Sequence, residues 1–516
     1  MQNHLYDGLL AQADPERQFA LIPGDPGATP PVKDRYYSYA HVHDVSARFA
    51  NRLVSFGVNV GDRVAVQVPK SLEAIMLYLG TVRAGAVFLP LNTAYTASEV
   101  RYFLEDAAPT LFICDSDDEA QYRPMADALG IRLETMGVWT SPDVASGTMT
   151  DLSQAGSTGF QSVPRGPDDL AAILYTSGTT GRSKGAMLSH GNLLSNSQSL
   201  MECWRFTSAD VLLHALPIFH THGLFVASNV TLLSGASLIF LPGFSTDALL
   251  THMPKATTLM GVPTFYTRLL ADPRFTRQAA DHMRLFVSGS APLLAETHRQ
   301  FEVRTGKRIL ERYGMTETNM NTSNPYDGER RAGTVGFPLP GVDVRVADPD
   351  TGDSLPQGEI GVIEVKGENV FSGYWNMPEK TAEEFRPDGF FITGDLGFID
   401  ADGYVTIVGR SKDLIISGGY NIYPKEVELV LDEQDGVMET AVIGVPHQDL
   451  GEAVVAVVVP SSDSFDAEAL RGAVNDKIAR FKQPKHIEVV DALPRNTMGK
   501  VQKNVLRDRL KDVFGA

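Results

Sequence analysis

Strand-like and helix-like stretches alternate through the first 115 residues, and no other feature constrains the fold as tightly. Val42, Val45, Phe49, Leu53 and Phe56 recur at helical spacing, and Gly57 is placed to end that helix. Residues 64–68 read as a buried strand, 71–84 as a helix and 86–89 as the next strand. Thr96 and Glu99 have the spacing of a capping box before a further helix, and residues 111–114 form another strand. Strands separated by helices pair in parallel through crossovers, so the pattern predicts a mainly parallel, doubly wound α/β sheet.

The texture then changes along the chain. With 516 residues and 56.1 kDa, the protein exceeds what one hydrophobic core can serve. Residues 140–168, rich in Ser, Gly, Thr, Asp and Pro, predict a surface loop, and the α/β pattern resumes at 170–175. From about 334, short β-like runs at 342–346, 360–365 and 404–408 are separated by Gly and Asp turns, which predicts a β-rich subdomain over about 334–409. Beyond 410 come strands at 439–445 and 452–459 and helices near 467–480 and 500–513. The expected division is a large part, 1–410, and a small α+β part, 411–516. No repeat of fixed period is present.

Composition narrows the partners. Forty-five basic against 63 acidic residues give a net charge of −18, which disfavours nucleic-acid backbones and anionic membrane surfaces. No Asp, Glu, Lys or Arg occurs between Asp210 and Asp247, but His214, His220, His222, Asn229, Pro217 and Pro242 interrupt that stretch. It therefore predicts buried strands and a buried helix rather than a membrane span. Two cysteines, Cys114 and Cys203, and no clustered Cys/His spacing argue against a disulfide framework or a zinc site. Neither end reads as a targeting signal, so a cytoplasmic protein is expected.

The strongest local signal follows the strand at 170–175. Thr176, Ser177, Gly178, Thr179, Thr180 and Gly181, followed by Lys184 and Gly185, concentrate backbone N–H groups, hydroxyls and one cation, as phosphate oxygens require. It is not a Walker A loop, because Ser183 stands where the second glycine is needed. Further along come Glu311-Arg312-Tyr313-Gly314-Met315-Thr316-Glu317, Thr393-Gly394-Asp395, Gly409-Arg410-Ser411-Lys412-Asp413, Ser417-Gly418-Gly419-Tyr420 and Pro494-Arg495-Asn496-Thr497-Met498-Gly499-Lys500.

In this order and spacing, these segments resemble the adenylate-forming superfamily of acyl-CoA synthetases, adenylation domains and luciferases over essentially the whole chain. The resemblance implies ATP, Mg²⁺ and CoA as ligands. Thr176 and Glu317 would hold Mg²⁺, since hard cations take oxygen ligands. Tyr313 would stack on adenine beside Ser290, Ala291 and Pro292, within a nucleotide site that includes Arg312, Gly314, Met315 and Thr316. Asp395, with Arg410, would bind the ribose. Lys500 would neutralise charge during adenylation. Lys412 would be the hinge before a small mobile domain, and Ser417, Gly418, Gly419 and Tyr420 would meet CoA. His220, in Phe219-His220-Thr221-His222-Gly223, would line the route between the acyl and CoA sites; a metal-ligand role lacks a third ligand nearby.

The acid is harder to read. A dicarboxylate needs a cation, because an unpaired buried carboxylate is costly. Arg331 and Arg284 are the two candidates, with Met315 beside the acyl group. Residues 315–323, Arg331-Ala332-Gly333 and 219–223 resemble the malonyl-CoA synthetases of the superfamily, which also take methylmalonate. The expected reaction is therefore malonate, ATP and CoA to malonyl-CoA, AMP and pyrophosphate, by a monomer or weak homodimer. A synthetase for another small acid, a stand-alone adenylation domain that loads a carrier protein, and a non-catalytic nucleotide-binding regulator are the rivals. Lys500, Glu317 and Asp395 together argue against the regulator.

Overall fold

The structure, a computed structural model, describes residues 2–24, 32–137, 139–141, 144–145, 147–149, 159–176, 183–462, 465–474, 477–496 and 499–515. Two large sheets form the main body. The first has six strands in the order Lys184–Ser189, Leu170–Thr176, Val87–Pro90, Arg63–Gln67, Leu111–Cys114, Arg132–Thr135. All pair in parallel except Lys184–Ser189, which folds back on Leu170–Thr176. The second has nine strands, with Leu310–Met315, Leu285–Ser288, Thr258–Gly261, Val211–His214, Ser237–Phe240 and Gln18–Ile22 running parallel through its centre. The doubly wound expectation is met. The uncharged stretch forms strands and helix of the second sheet, all buried, and no helix among the described residues is long and apolar enough to cross a membrane.

Local signals act as their chemistry requires. Both reciprocal bonds of the Thr96–Glu99 capping box form, at 3.4 and 2.7 Å. The helix Leu72–Arg83 is buried on all sides between the layers. It packs so closely on Tyr39–Ser55 that a Cβ on Gly80 would lie 2.7 Å from that of Phe49. The cysteines are unpaired, and burial pushes the Cys114 thiol up to about 12, so it is inert.

An antiparallel sheet of Val342–Ala347, Gly361–Gly367, Phe391–Ile399 and Val405–Arg410 follows. A separate five-stranded sheet begins at Ile415–Ser417, with helices Pro424–Asp432, Ala467–Ala473 and Lys503–Leu510. The helix expected near 467–480 stops at Ala473, and the last helix starts at Lys503, which leaves Lys500 in the preceding loop. The edge pair Gln18–Ile22 and Arg35–Ser38 has no counterpart in the sequence reading; it is held by Ser237–Phe240, more than 200 residues away, a pairing that no local pattern encodes.

Candidate active site

Parallel α/β sheets offer ligands a crevice at the carboxyl ends of their strands. Here the segments leaving Val211–His214, Thr258–Gly261, Leu285–Ser288 and Leu310–Met315 converge there, and they carry His220, Ser290, Ala291, Pro292, Thr316 and Glu317 of the residues singled out above. Gly314 allows the tight return of Leu310–Met315 into Asn319–Ser323: a Cβ there would lie 1.9 Å from the Asn319 carbonyl oxygen. Asn319 itself takes φ +50°, a strained value of the kind that clusters at functional sites.

On one side the charged groups already hold one another. The Tyr313 hydroxyl donates to Asp395 Oδ2 at 2.5 Å, and Arg410 Nε lies 2.9 Å from Oδ1. Tyr313 is thus buried against Asp395 and fixes that carboxylate. Glu317 is buried, and desolvation raises its carboxyl above the usual range. Its Oε1 lies 3.1 Å from the Tyr374 hydroxyl, whose single proton goes to the nearer Glu384 Oε2 at 2.6 Å. Glu384 in turn pairs with Lys184 at 3.0 Å. Lys184 opposes Thr176 in the strand register, and the Thr176 hydroxyl donates to the Lys184 carbonyl at 3.4 Å. Ser177, Gly178, Thr179, Thr180 and Gly181 lie outside the described residues. Tyr374 and Glu384 were not foreseen, since they come from a segment some 200 residues beyond Lys184 and no pattern links the two.

On the other side several buried polar atoms lack partners among the described residues. A π-helical segment, His222–Ser228, follows the turn at 217–221, and Gly223 is required because a Cβ would fall 1.9 Å from the Pro217 carbonyl oxygen. His222 Nδ1 meets the Ser290 hydroxyl at 3.2 Å, with Ser290 held at φ +70° just before Ala291 and Pro292. Burial lowers both imidazoles, His220 to about 3, so both are neutral near pH 7. Arg312 is buried beside them, and burial lowers its guanidinium to about 9. Among the described residues, its Nε and Nη2 have no hydrogen-bond partner, nor do His222 Nε2, Ser288 Oγ and Thr221 Oγ1. The guanidinium lies flat on Gly289, where a Cβ would come within 2.4 Å of Cζ. Lys500 enters from the small sheet's side. Its neighbour Gly499 lies near Thr264; the Lys500 side chain keeps solvent exposure, and its ammonium is lowered by the desolvating protein around it and by Arg410, with Asp395, Glu317 and Arg312 also in range.

Both arginines proposed for a distal carboxylate are engaged elsewhere. Arg331 pairs with Asp400 at 2.8 Å, Asp402 at 3.0 Å and Glu329 at 3.3 Å, and lies 4.0 Å over the Tyr404 ring. Arg284 sits at the amino end of its strand, opposite the crevice. It grips Asp210 at 2.6 and 2.8 Å and donates to the Trp204 and Arg205 carbonyls. Three carboxylates satisfy one and a carboxylate with two carbonyls the other, so neither offers free charge to a substrate. Lys412 is exposed in the turn Ser411–Asp413 between the two small sheets. Ser417 is buried, while Gly418, Gly419 and Tyr420 form an exposed hairpin tip. Gly418 and Gly419 there adopt φ +57° and +83°, which a side chain would oppose.

Comparison with known proteins bears on the same residues. Residues 15–375 match the AMP-binding enzyme family, and 426–500 match the AMP-binding enzyme C-terminal domain. A malonate–CoA ligase of Arabidopsis thaliana is 36% identical over 491 residues, covering 89% of this chain and 79% of that protein. A feruloyl-CoA synthase of an Amycolatopsis species is also 36% identical, over 477 residues, covering 92% and 94%. The crystal structure of ATP-bound MatB from Rhodopseudomonas palustris is 57% identical, covers all of both chains and overlays with a TM-score of 0.95.

Proposed function

The chain belongs to the AMP-binding enzyme family and is an AMP-forming acyl-CoA ligase; within that class we propose that it activates malonate, and methylmalonate with it. The malonate–CoA ligase and the feruloyl-CoA synthase are equally similar at 36%, while MatB, at 57% over the whole chain, stands well above both. The similarity to the malonate–CoA ligase supports this reading, and the pocket carries it. A buried guanidinium with two unpartnered nitrogens is costly against an apolar acyl chain and well matched to a second carboxylate. The distal cation is therefore Arg312, beside His222 and Ser288, in place of Arg331 or Arg284.

In the first half-reaction a malonate oxygen attacks the α-phosphorus of ATP and pyrophosphate leaves, giving malonyl-AMP. Lys500 neutralises the charge that builds on the α-phosphate and the attacking carboxylate. Thr176, Ser177, Gly178, Thr179, Thr180, Gly181 and Lys184 cradle the phosphates, and Asp395, pre-set by Tyr313 and Arg410, receives the ribose hydroxyls. The all-oxygen donor set fits Mg²⁺: Glu317 and Thr176 would hold it, and when bound it supplies charge neutralisation on the phosphates. In the second half-reaction the CoA thiolate attacks the malonyl carbonyl and AMP leaves. For this the part from 411 onward turns about Lys412, withdrawing Lys500 and bringing the Gly418–Gly419 hairpin to CoA, past the neutral His220.

A pyrophosphate-release panel over malonate, methylmalonate, succinate, acetate, butyrate and ferulate tests the assignment. Malonate is expected to give the highest kcat/KM; a monocarboxylate ahead of it contradicts the proposal. CoA is expected to accept the acyl group in preference to a carrier-protein thiol.

A further inference from the structure

Lys184, the cation of the phosphate loop, is not free. Its ammonium lies 3.0 Å from Glu384 Oε1 and 3.9 Å from the centre of the Tyr374 ring, with both charged side chains about four-fifths buried. Glu384 has two further partners: Lys380, 3.2 Å from the same Oε1, and the Tyr374 hydroxyl, 2.6 Å from Oε2. If Lys184 departs, both oxygens of Glu384 keep a donor. Losing the lysine therefore strands no buried charge, which is what makes most half-buried ion pairs costly to open.

We propose that Glu384 competes with the ATP phosphates for Lys184, so that the lysine is docked on Glu384 in the empty enzyme and is handed to the nucleotide when ATP binds. Glu384 is in this sense a positioning residue, acting only through Lys184. The geometry supports exchange rather than a fixed bridge. Lys184 opens the strand Lys184–Ser189, and rotation of its four-carbon stem, without backbone displacement, moves the ammonium. Lys380, 42% exposed and shared with Glu383 at 3.0 Å, stays beside Glu384 and compensates its charge. The inference rests on the reading of this loop as the phosphate site.

Equilibrium ATP binding, measured by calorimetry without an acid substrate, tests it in a double-mutant cycle. Glu384→Gln is expected to tighten ATP binding about two- to tenfold, because the competitor for Lys184 is gone. The tightening is expected to vanish in a Lys184→Gln background. Glu384→Asp, whose carboxylate is drawn back by one methylene, gives the same sign at smaller size and carries the test should Glu384→Gln not fold. Weaker or unchanged ATP binding in Glu384→Gln, or the same tightening with and without Lys184, overturns the handover while leaving the phosphate reading intact. Absence of ATP binding by the wild-type protein overturns that reading and the handover with it.

Discussion

The two halves of the crevice are built on opposite principles. On the side proposed for the nucleotide, charges are held in place before any ligand binds: Tyr313 and Arg410 on Asp395, and Glu384 on Lys184, with Tyr374 between Glu384 and Glu317. On the side proposed for the acyl group, Arg312, His222, Ser288 and Thr221 each present a buried polar atom with no partner among the described residues. A site for a ligand common to every reaction of the class gains from being rigid before the ligand arrives. A site that must choose one acid gains from being incomplete, since only the right acid removes the cost of the unpartnered groups. Changes on the first side should slow all acids alike, and changes on the second should alter which acid is used.

The largest effect is expected from Lys500→Ala. Adenylation should fall by about 10²- to 10³-fold for every acid, with thioester formation from supplied malonyl-AMP largely retained. Quenched-flow assays of the two half-reactions check this, and equal loss of both would break the division of labour. Gly289→Ala comes next and acts on the other side. Its added Cβ, placed 2.4 Å from Arg312 Cζ, must displace the guanidinium. The ratio of kcat/KM for malonate to that for butyrate should drop about tenfold in a protein that still forms butyryl-AMP.

Smaller effects follow where the paired arginines are removed. Arg284→Met leaves the buried Asp210 carboxylate without its ion pair and should cost about 2–4 kcal/mol in denaturant unfolding, with the malonate-to-butyrate ratio unchanged. Arg331→Ala, on a partly exposed network, should cost about 0.5–1 kcal/mol and also leave the ratio unchanged. A shifted ratio in either variant would return that arginine to the pocket.

These contrasts explain what could be read from the chain alone. The parallel sheet, the Thr96 capping box and the nucleotide motifs are local patterns, and local spacing encodes them. Whether an arginine is free is not local. Arg331 is engaged by Asp400 and Asp402, which the strand ending at Ile399 and the one starting at Val405 bring back after about 70 residues. Arg312 was within reach. It neighbours Tyr313 in one strand, where successive side chains point to opposite faces. If Tyr313 turns toward Asp395, then Arg312 must turn away from it, toward Gly289 and the histidines. The Lys184–Glu384 pair has no such signature, since it joins two segments that only the tertiary fold brings together.

The central claim, that the acyl side waits for a second carboxylate, meets its most direct test in Arg312→Met, a change that removes the charge at similar length. Removing one member of a buried charge pair costs about 2–5 kcal/mol, roughly 30- to 4,000-fold at about 1.4 kcal/mol per decade. The malonate-to-butyrate ratio of kcat/KM in the pyrophosphate-release assay should fall by that factor, with butyrate activity steady or higher. A ratio that stays at the wild-type value, or equal losses for both acids, would contradict the account and separate Arg312 from the choice of acid.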